Sequence, residues 1–301
     1  MKLRPIPHTS LSISPLCLGT MTFGTPVGEA DAIRLVHRTL ELGINFIDTA
    51  NSYEGYARVP GSAGGVAEEI LGQGLAGRRD RVVLATKAGN PVGSEHTDRG
   101  LSRAHLMREL HKSLKRLRTD YVDVFYLHRP EPDIPLEESI AACADLIRAG
   151  KTRHWGFSNF TAAQVRQMLA ICDAQALPRP VVSQPPLSLL KQDACAELLP
   201  LCAKEGIATV PYQVLQNGLL TGKYAGHRIP SNSRAAEKSD WLKLDENTFA
   251  ALDRLEKEAG DRRMSLMQYA MRWALEQPSV NSLIVGVKEI RQLESLCEAV
   301  R

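Results

Sequence analysis

Val82-Val83-Leu84-Ala85-Thr86-Lys87 and Val122-Asp123-Val124-Phe125-Tyr126-Leu127-His128 bracket a stretch in which Leu106, Leu110, Leu114 and Leu117 recur at three- and four-residue spacing. Two short, nearly continuous apolar runs around one amphipathic helix form the pattern of parallel strands covered on both faces. Ser102 stands where it caps the first turn of that helix. Outward from this unit the same alternation fills the chain, with further strand segments at 16–20, 45–49, 153–158, 181–184, 207–212 and 282–286. Helical periodicity fits 29–42, 66–76, 136–149, 191–205, 247–259 and 265–276, and another helix opens at Thr161, where Gln164 completes a capping box. Eight strands alternating with helices predict an α/β fold of one domain over residues 1–301, a (β/α)8 TIM barrel. Residues 3–13 read as two short strands about a turn, a hairpin closing the barrel floor. The interval between the seventh and eighth strands is far longer than the others. Gly218 to Asp245 within it, rich in Gly, Ser, Asn and charge, is expected to be an active-site loop.

The 301 residues are 44% hydrophobic and 24% charged, with 22 Gly and 17 Pro, which excludes disordered, collagen-like and small disulfide-framed chains. A net charge of +3, evenly spread, argues against nucleic acid or an anionic membrane as partner, so any bound anion must be gripped locally. The start, Met1-Lys2-Leu3-Arg4-Pro5, leads into no apolar run, and no segment has the roughly eighteen continuous apolar residues of a membrane span. A cytoplasmic protein is expected. Cys17, Cys143, Cys172, Cys195, Cys202 and Cys297 form no C-x-x-C pair and read as small buried hydrophobes. No H-E-x-x-H occurs, and no metal is expected.

In such a barrel the chemistry gathers where strands end. Those ends carry Thr20, Asp48, Lys87, His128, Ser158, Gln184, Tyr212 and Gly286, with Tyr53 in the loop after Asp48. A buried lysine beside a tyrosine favours the phenolate and is expected to bring the phenol pKa toward neutrality, while the aspartate keeps the lysine charged. A phenol so tuned is a proton donor at pH 7, and the histidine would orient a carbonyl oxygen or pass on a proton. Singly, Asp48, Tyr53 and Lys87 read as a structural salt bridge and hydrogen bond, and His128 as a satisfied core histidine. As a set at one face they read as catalytic. None of them supplies a hydride, so redox chemistry here requires a cofactor.

Six segments together carry a family resemblance: Leu18-Gly19-Thr20-Met21; Phe46-Ile47-Asp48-Thr49-Ala50 with Tyr53; Leu84-Ala85-Thr86-Lys87; Tyr126-Leu127-His128-Arg129-Pro130; Gly150-Lys151-Thr152-Arg153 with Gly156-Phe157-Ser158-Asn159-Phe160; and Gly218-Leu219-Leu220-Thr221-Gly222-Lys223-Tyr224. In this order along nearly the whole chain they resemble the aldo-keto reductases. The resemblance implies a (β/α)8 barrel, NADPH-dependent reduction of a small-molecule carbonyl substrate, and a catalytic tetrad at Asp48, Tyr53, Lys87 and His128. It implies cofactor contacts from Gly19, Thr20, Met21 and Asp48; carboxamide recognition by Ser158, Asn159 and Gln184; stacking by Tyr212; and a pyrophosphate lining from Gln213 to Leu219 that includes Leu215 and Gly218. Gly286, Val287, Lys288 and Gln292 would meet the adenosine half, with Lys288 on a 2′-phosphate.

Against the family pattern, Gln213-Val214-Leu215 replaces Ser-Pro-Leu after the stacking tyrosine, and Pro185-Pro186-Leu187-Ser188 replaces a tyrosine-containing run after Gln184. Leu296 stands where an asparagine is common, and Glu289 beside Lys288 offers a carboxylate to the 2′-hydroxyl of NAD. An NAD-dependent sugar or alcohol dehydrogenase is therefore an alternative. A cofactor-sensing accessory subunit like the potassium-channel β-subunits, which share the fold and tetrad, is another. The end at Arg301 suggests a more open pocket. Gly218 to Lys223 lacks the length and the Ser/Thr of a phosphate-binding P-loop, and Gly61-Ser62-Ala63-Gly64-Gly65 is not a dinucleotide fingerprint but a rim to the pocket. Trp155 and Trp273 read as core, Trp241 as a loop residue within reach of substrate, and Arg78-Arg79-Asp80-Arg81 as a solvated turn.

Overall fold

The structure, a computed structural model, describes residues 1–231, 233–237, 242 and 244–300. Trp241 and Arg301 lie outside these. A short antiparallel pair, β1 (Arg4–Pro5) and β2 (Ser12–Ile13), precedes eight parallel strands: β3 (Leu16–Gly19), β4 (Phe46–Asp48), β5 (Val83–Ala88), β6 (Val122–Leu127), β7 (Thr152–Ser158), β8 (Val182–Gln184), β9 (Ala208–Thr209) and β10 (Leu283–Val285). Their order, β10-β3-β4-β5-β6-β7-β8-β9, follows the chain around a curled sheet. Its two edges meet where Thr209 bridges Val280, Asn281 N–H donates to the Thr209 carbonyl at 2.9 Å, and Ile284 N–H to the Pro211 carbonyl at 2.9 Å. The barrel is closed there by single hydrogen bonds rather than by a long ladder.

The helices are α1 (Glu29–Glu41), α2 (Val66–Gly74), α3 (Arg103–Leu117), α4 (Leu136–Arg148), α5 (Ala162–Ala174), α6 (Asp193–Ala196), α7 (Leu198–Glu205), α8 (Arg234–Glu237), α9 (Glu246–Asp261), α10 (Leu266–Leu275) and α11 (Ile290–Ala299). Ser102 caps α3, and Thr161 with Gln164 forms the capping box of α5, as their sequence positions require. The single helix expected over 191–205 is split at Glu197. Pro200 accounts for the break: it has no N–H for the residue 196 carbonyl, and its ring collides with that carbonyl in a continuous helix.

Apolar side chains divide into an inner and an outer core. Inside the barrel Cys17, Phe46, Ala85, Val124, Tyr126, Val182 and Val210 pack with Ile6, Leu11 and Ile13, so the hairpin plugs the floor. Between strands and helices lies the larger layer, with Trp155 wholly buried and its Nε1–H donating to the Pro178 carbonyl at 2.8 Å. Trp273 packs against it half-buried. A third cluster joins Leu219, Leu220 and Tyr224 to Leu252, Leu255 and Leu266 of α9 and α10. The start of the long interval is thus anchored by its own core. Gly156 marks the tightest inner contact: a Cβ there would lie 2.4 Å from the Val182 carbonyl oxygen.

Cys17, Cys143, Cys172, Cys202 and Cys297 are buried and Cys195 is half-buried. Among the described residues no helix is long and apolar enough to cross a membrane, and no cluster of side chains could hold a metal ion. Arg79 departs from its solvated reading. It is largely buried, donating to the Tyr121 carbonyl at 3.0 Å and to Asp123 Oδ2 at 2.8 Å, while Asp123 also accepts from Leu84 N–H. Glu68 of α2, fully buried, accepts from Arg116 Nε of α3 at 2.7 Å and from Thr86 Oγ1 of β5 at 2.5 Å. Arg116→Met removes the only cation paired with that buried carboxylate among the described residues and is expected to cost about 3–5 kcal/mol, read by urea unfolding. A loss within about 0.5 kcal/mol would show the pair to be dispensable.

Candidate active site

Asp48 ends β4 and Lys87 lies in β5, adjacent strands of a sheet whose register pairs Asp48 with Ala85. Both side chains are turned into the barrel and buried. Lys87 Nζ donates to Asp48 Oδ1, to the Thr49 carbonyl at 2.9 Å and to Tyr53 Oη at 3.2 Å. All three of its N–H bonds are used. The remaining Asp48 oxygen, Oδ2, accepts from Gln184 Nε2 at 2.9 Å. The Tyr53 ring meets the His128 ring edge-on, centroids 5.9 Å apart, and Asn90 Nδ2 lies 3.2 Å from His128 Nδ1. Behind them Asn159, in the left-handed region at φ 67°, donates to the His128 carbonyl at 2.9 Å and accepts from Tyr212 Oη at 2.7 Å. Ser158 Oγ donates to the Gln184 carbonyl at 2.7 Å.

These groups form one end of a cavity of about 730 Å³ at the carboxyl ends of the strands. Of the residues expected from sequence, Gly19, Met21, Asp48, Tyr53, His128, Ser158, Asn159, Gln184, Tyr212, Gln213, Leu215, Gly218, Gly286, Lys288 and Gln292 line it; Lys87 stands directly behind Tyr53. Thr20 does not reach it. Thr20 is fully buried with its hydroxyl spent on the Asp48 carbonyl at 3.1 Å, and Thr22 faces the cavity instead. Pro185 and Pro186, which replace the family's run after Gln184, pair with the Tyr212 backbone, Tyr212 N–H donating to the Pro185 carbonyl at 3.0 Å, and neither is among the residues that line the cavity. Asn217, inside the Gln213–Leu219 stretch expected at the pyrophosphate, lines the cavity, and so do Asn90, Lys223, Arg234, Arg291 and Ser295, which sequence reasoning did not single out. A signal existed for two of them: Arg291 and Ser295 follow Lys288 at i+3 and i+7, on one side of α11 with Gln292 and Leu296.

The far end of the cavity is cationic, carrying Lys223, Arg234, Lys288 and Arg291. Lys288 Nζ holds Glu237 Oε1 of α8 at 2.6 Å, while Glu289, the carboxylate expected beside it, accepts from Gln292 Nε2 at 3.4 Å. Arg234 donates to Asn217 Oδ1 at 3.1 Å and to Tyr56 Oη, tying the long interval to the rim of residues 54–65 across the mouth. Burial, and then the like charges of Lys288 and Arg234, lower the Lys223 pKa. Crowded positive charge of this kind is relieved by a bound anion.

Electrostatics at the other end differ from the expectation in one respect. Burial raises the Tyr53 phenol above its ordinary 10; Lys87 opposes that shift without overcoming it. The phenol is therefore not tuned to neutrality but remains firmly protonated at pH 7. Burial also raises Asp48, with Lys87 and Gln184 pulling it back. Burial alone would lower Lys87, yet Asp48 and Tyr53 outweigh it and hold the ammonium charged. Burial, then the charges of Lys87, Arg129 and Arg58, keep His128 well below its ordinary 6.5, so the ring is neutral at pH 7 and donates a hydrogen bond from one nitrogen only. The arrangement offers a protonated phenol with a cation placed to stabilise its conjugate base, and a neutral N–H beside it.

The sequence model of the Aldo/keto reductase family matches residues 15–301. The chain is similar to "Probable voltage-gated potassium channel subunit beta" of Oryza sativa subsp. japonica, 35% identical over 97% of this chain and 89% of that one. "Protein tas" of Escherichia coli (strain K12) is 33% identical over 100% and 93%, and "Aldo-keto reductase YhdN" of Bacillus subtilis (strain 168) is 32% identical over 99% and 88%.

The depressed His128 pKa has a sign that can be checked. Between the folded and unfolded values the unfolded chain binds the extra proton, so stability contributed by the neutral ring is present above about pH 6.5 and lost as pH falls below it. In ring C–H nuclear magnetic resonance spectra, His128 is expected to keep its neutral shift as pH falls through 6.5, where an unburied imidazole is half protonated. A midpoint at or above the ordinary value would contradict the burial argument.

Proposed function

The chain belongs to the aldo/keto reductase family of NAD(P)H-dependent oxidoreductases, and from that premise we propose that it is an NADPH-dependent carbonyl reductase, residues 1–301 acting as one barrel domain. The observation that carries this reading is the polarity of this cavity: a proton-donating tyrosine with its buried lysine at one end, four cations at the other. The donor set fits an extended phosphorylated dinucleotide. Lys223, Arg234, Lys288 and Arg291 suit its phosphates, Ser158, Asn159 and Gln184 its carboxamide, and Tyr212 a flat ring face. When bound, NADPH supplies the hydride that none of these side chains can.

The chain's own contribution is the proton. Tyr53 Oη donates it to the carbonyl oxygen as negative charge develops there, and Lys87, already hydrogen-bonded to Tyr53 Oη, stabilises the phenolate left behind. Asp48 keeps Lys87 charged in a site where burial alone would discharge it. His128 orients the carbonyl oxygen with its neutral N–H; with a pKa held this low it is a hydrogen-bond donor rather than a proton relay. Asn90 in turn fixes the imidazole. A raised phenol pKa does not hinder the transfer, because the alkoxide receiving the proton is more basic still.

Similarity to a potassium-channel β-subunit leaves a cofactor-sensing role as the second reading. Repeated turnover by the isolated chain distinguishes the two: a sensor would stop near one equivalent of oxidised cofactor. Tyr53→Phe is expected to lower reduction of a test aldehyde by about two to four orders of magnitude while leaving the NADPH dissociation constant nearly unchanged; near-normal turnover would remove Tyr53 from the chemistry. Lys288→Ala is expected to weaken NADPH by about tenfold or more and NADH far less. Equal losses for both cofactors would place Lys288 away from the 2′-phosphate and favour the NAD-dependent alternative.

A further inference from the structure

Four positive side chains line the far end of the cavity, and among the described residues that line it the one carboxylate is Asp48, at the opposite end. Compensation for the four comes from behind the lining. Glu237, the last residue of α8, sets both carboxylate oxygens on Lys288 Nζ, at 2.6 and 2.5 Å, with the two side chains 34% and 25% exposed. Local structure holds the carboxylate there. Ser233, fully buried, accepts from Ala236 N–H through Oγ at 3.3 Å and from Glu237 N–H through its carbonyl at 3.1 Å. Arg234 of the same helix reaches Asn217 Oδ1 at 3.1 Å and Tyr56 Oη. Opposite, Lys288 N–H donates to Gln292 Oε1 at 2.8 Å, which fixes the lysine backbone at the start of α11. Glu289, although adjacent in sequence, is exposed, and its Oε1 accepts from Gln292. Glu237 also acts on Lys223, opposing the like charges of Lys288 and Arg234.

From this placement we infer that Glu237 is a specificity-determining residue for the cofactor: it competes with a 2′-phosphate for Lys288 Nζ and so narrows the preference of the site for NADPH over NADH. The inference rests on the reading that Lys288 meets the 2′-phosphate, and it names the residue that tunes that contact. Glu237 does not line the cavity and acts through Lys288. An ammonium has three N–H donors, and two of those of Lys288 face the carboxylate. A phosphate at Lys288 must therefore take donors that are already in use. A 2′-hydroxyl makes no such demand, because it is neutral and leaves the Glu237–Lys288 pair intact. The bonds of Ser233 and Arg234 keep α8 in place, so a displaced Glu237 stays close and its charge still opposes the phosphate. For a pair this exposed the handicap is a factor of a few rather than of hundreds.

Isothermal titration calorimetry with NADP+ and NAD+, in the absence of any carbonyl compound, tests this without turnover. The ratio of dissociation constants, NAD+ over NADP+, is expected to rise about threefold or more in Glu237→Gln, through tighter NADP+ binding while NAD+ changes by less than about twofold. Both cofactors are titrated into the same preparation, so the ratio is insensitive to the fraction folded. In a Lys288→Ala background the same substitution is expected to leave the ratio within about 1.5-fold, because the competition needs the lysine. An unchanged or lower ratio in Glu237→Gln overturns the inference and leaves the NADPH reading standing. So does a rise that persists without Lys288, which would make Glu237 a source of field and not a competitor. Equal losses of both cofactors in Lys288→Ala alone, or no binding of either to the unaltered chain, count against the NADPH reading itself, and the inference goes with it.

Discussion

One ammonium group, Lys87 Nζ, sits wholly out of contact with water near the axis of a barrel otherwise filled by Phe46, Val124, Tyr126 and Val182. A charge in such surroundings is tolerated only if every N–H finds an acceptor and a counter-ion stands beside it. Asp48, the Thr49 carbonyl and Tyr53 satisfy those demands together, and the strand register of β4 against β5 delivers the first two. The same demand that makes the group costly fixes Tyr53 in place. Gln184 extends the restraint to the opposite side of the ring through Asp48 Oδ2. A site built on facing strands in this way has little freedom to relax, because moving any member exposes or strands a buried charge.

Much of this was legible in the sequence. Apolar runs at regular intervals imply parallel strands, and a polar residue at the end of each implies a common face; Asp48, Lys87 and His128 needed only their positions to be grouped. The leucine periodicity of α3 and the capping box at Thr161 were equally direct. What failed did so where long-range geometry decides. Thr20 stands at a strand end like the others, yet a turn in the chain spends its hydroxyl on the neighbouring strand and presents Thr22 instead. Arg79 sits in a charged cluster that resembles a solvated turn, but its target, Asp123, lies 44 residues away. Lys288 is paired with Glu237, in an interval whose path no periodicity discloses.

The phenol of Tyr53 shows how a correct grouping still leaves magnitudes open. Lysine and burial act on it in opposite directions, and only the degree of enclosure decides which prevails. Enclosure wins, so the acid is held in reserve instead of being poised at neutrality. The imidazole of His128 is governed by the same enclosure, reinforced by three positive charges. Neither group gains or loses a proton near pH 7 on its own.

The seam of the barrel has a bearing on how binding is felt. β9 is two residues long, and the ring closes through isolated contacts of Thr209, Pro211 and their partners near β10. The cationic end of the cavity rises from both sides of this join, Tyr212 to Arg234 on one lip and Gly286 to Gln292 on the other. A ligand gripping both lips is also a clasp across the one place where the cylinder lacks a full ladder. Mechanically such a ligand would reinforce a ring that the protein itself fastens at a few points.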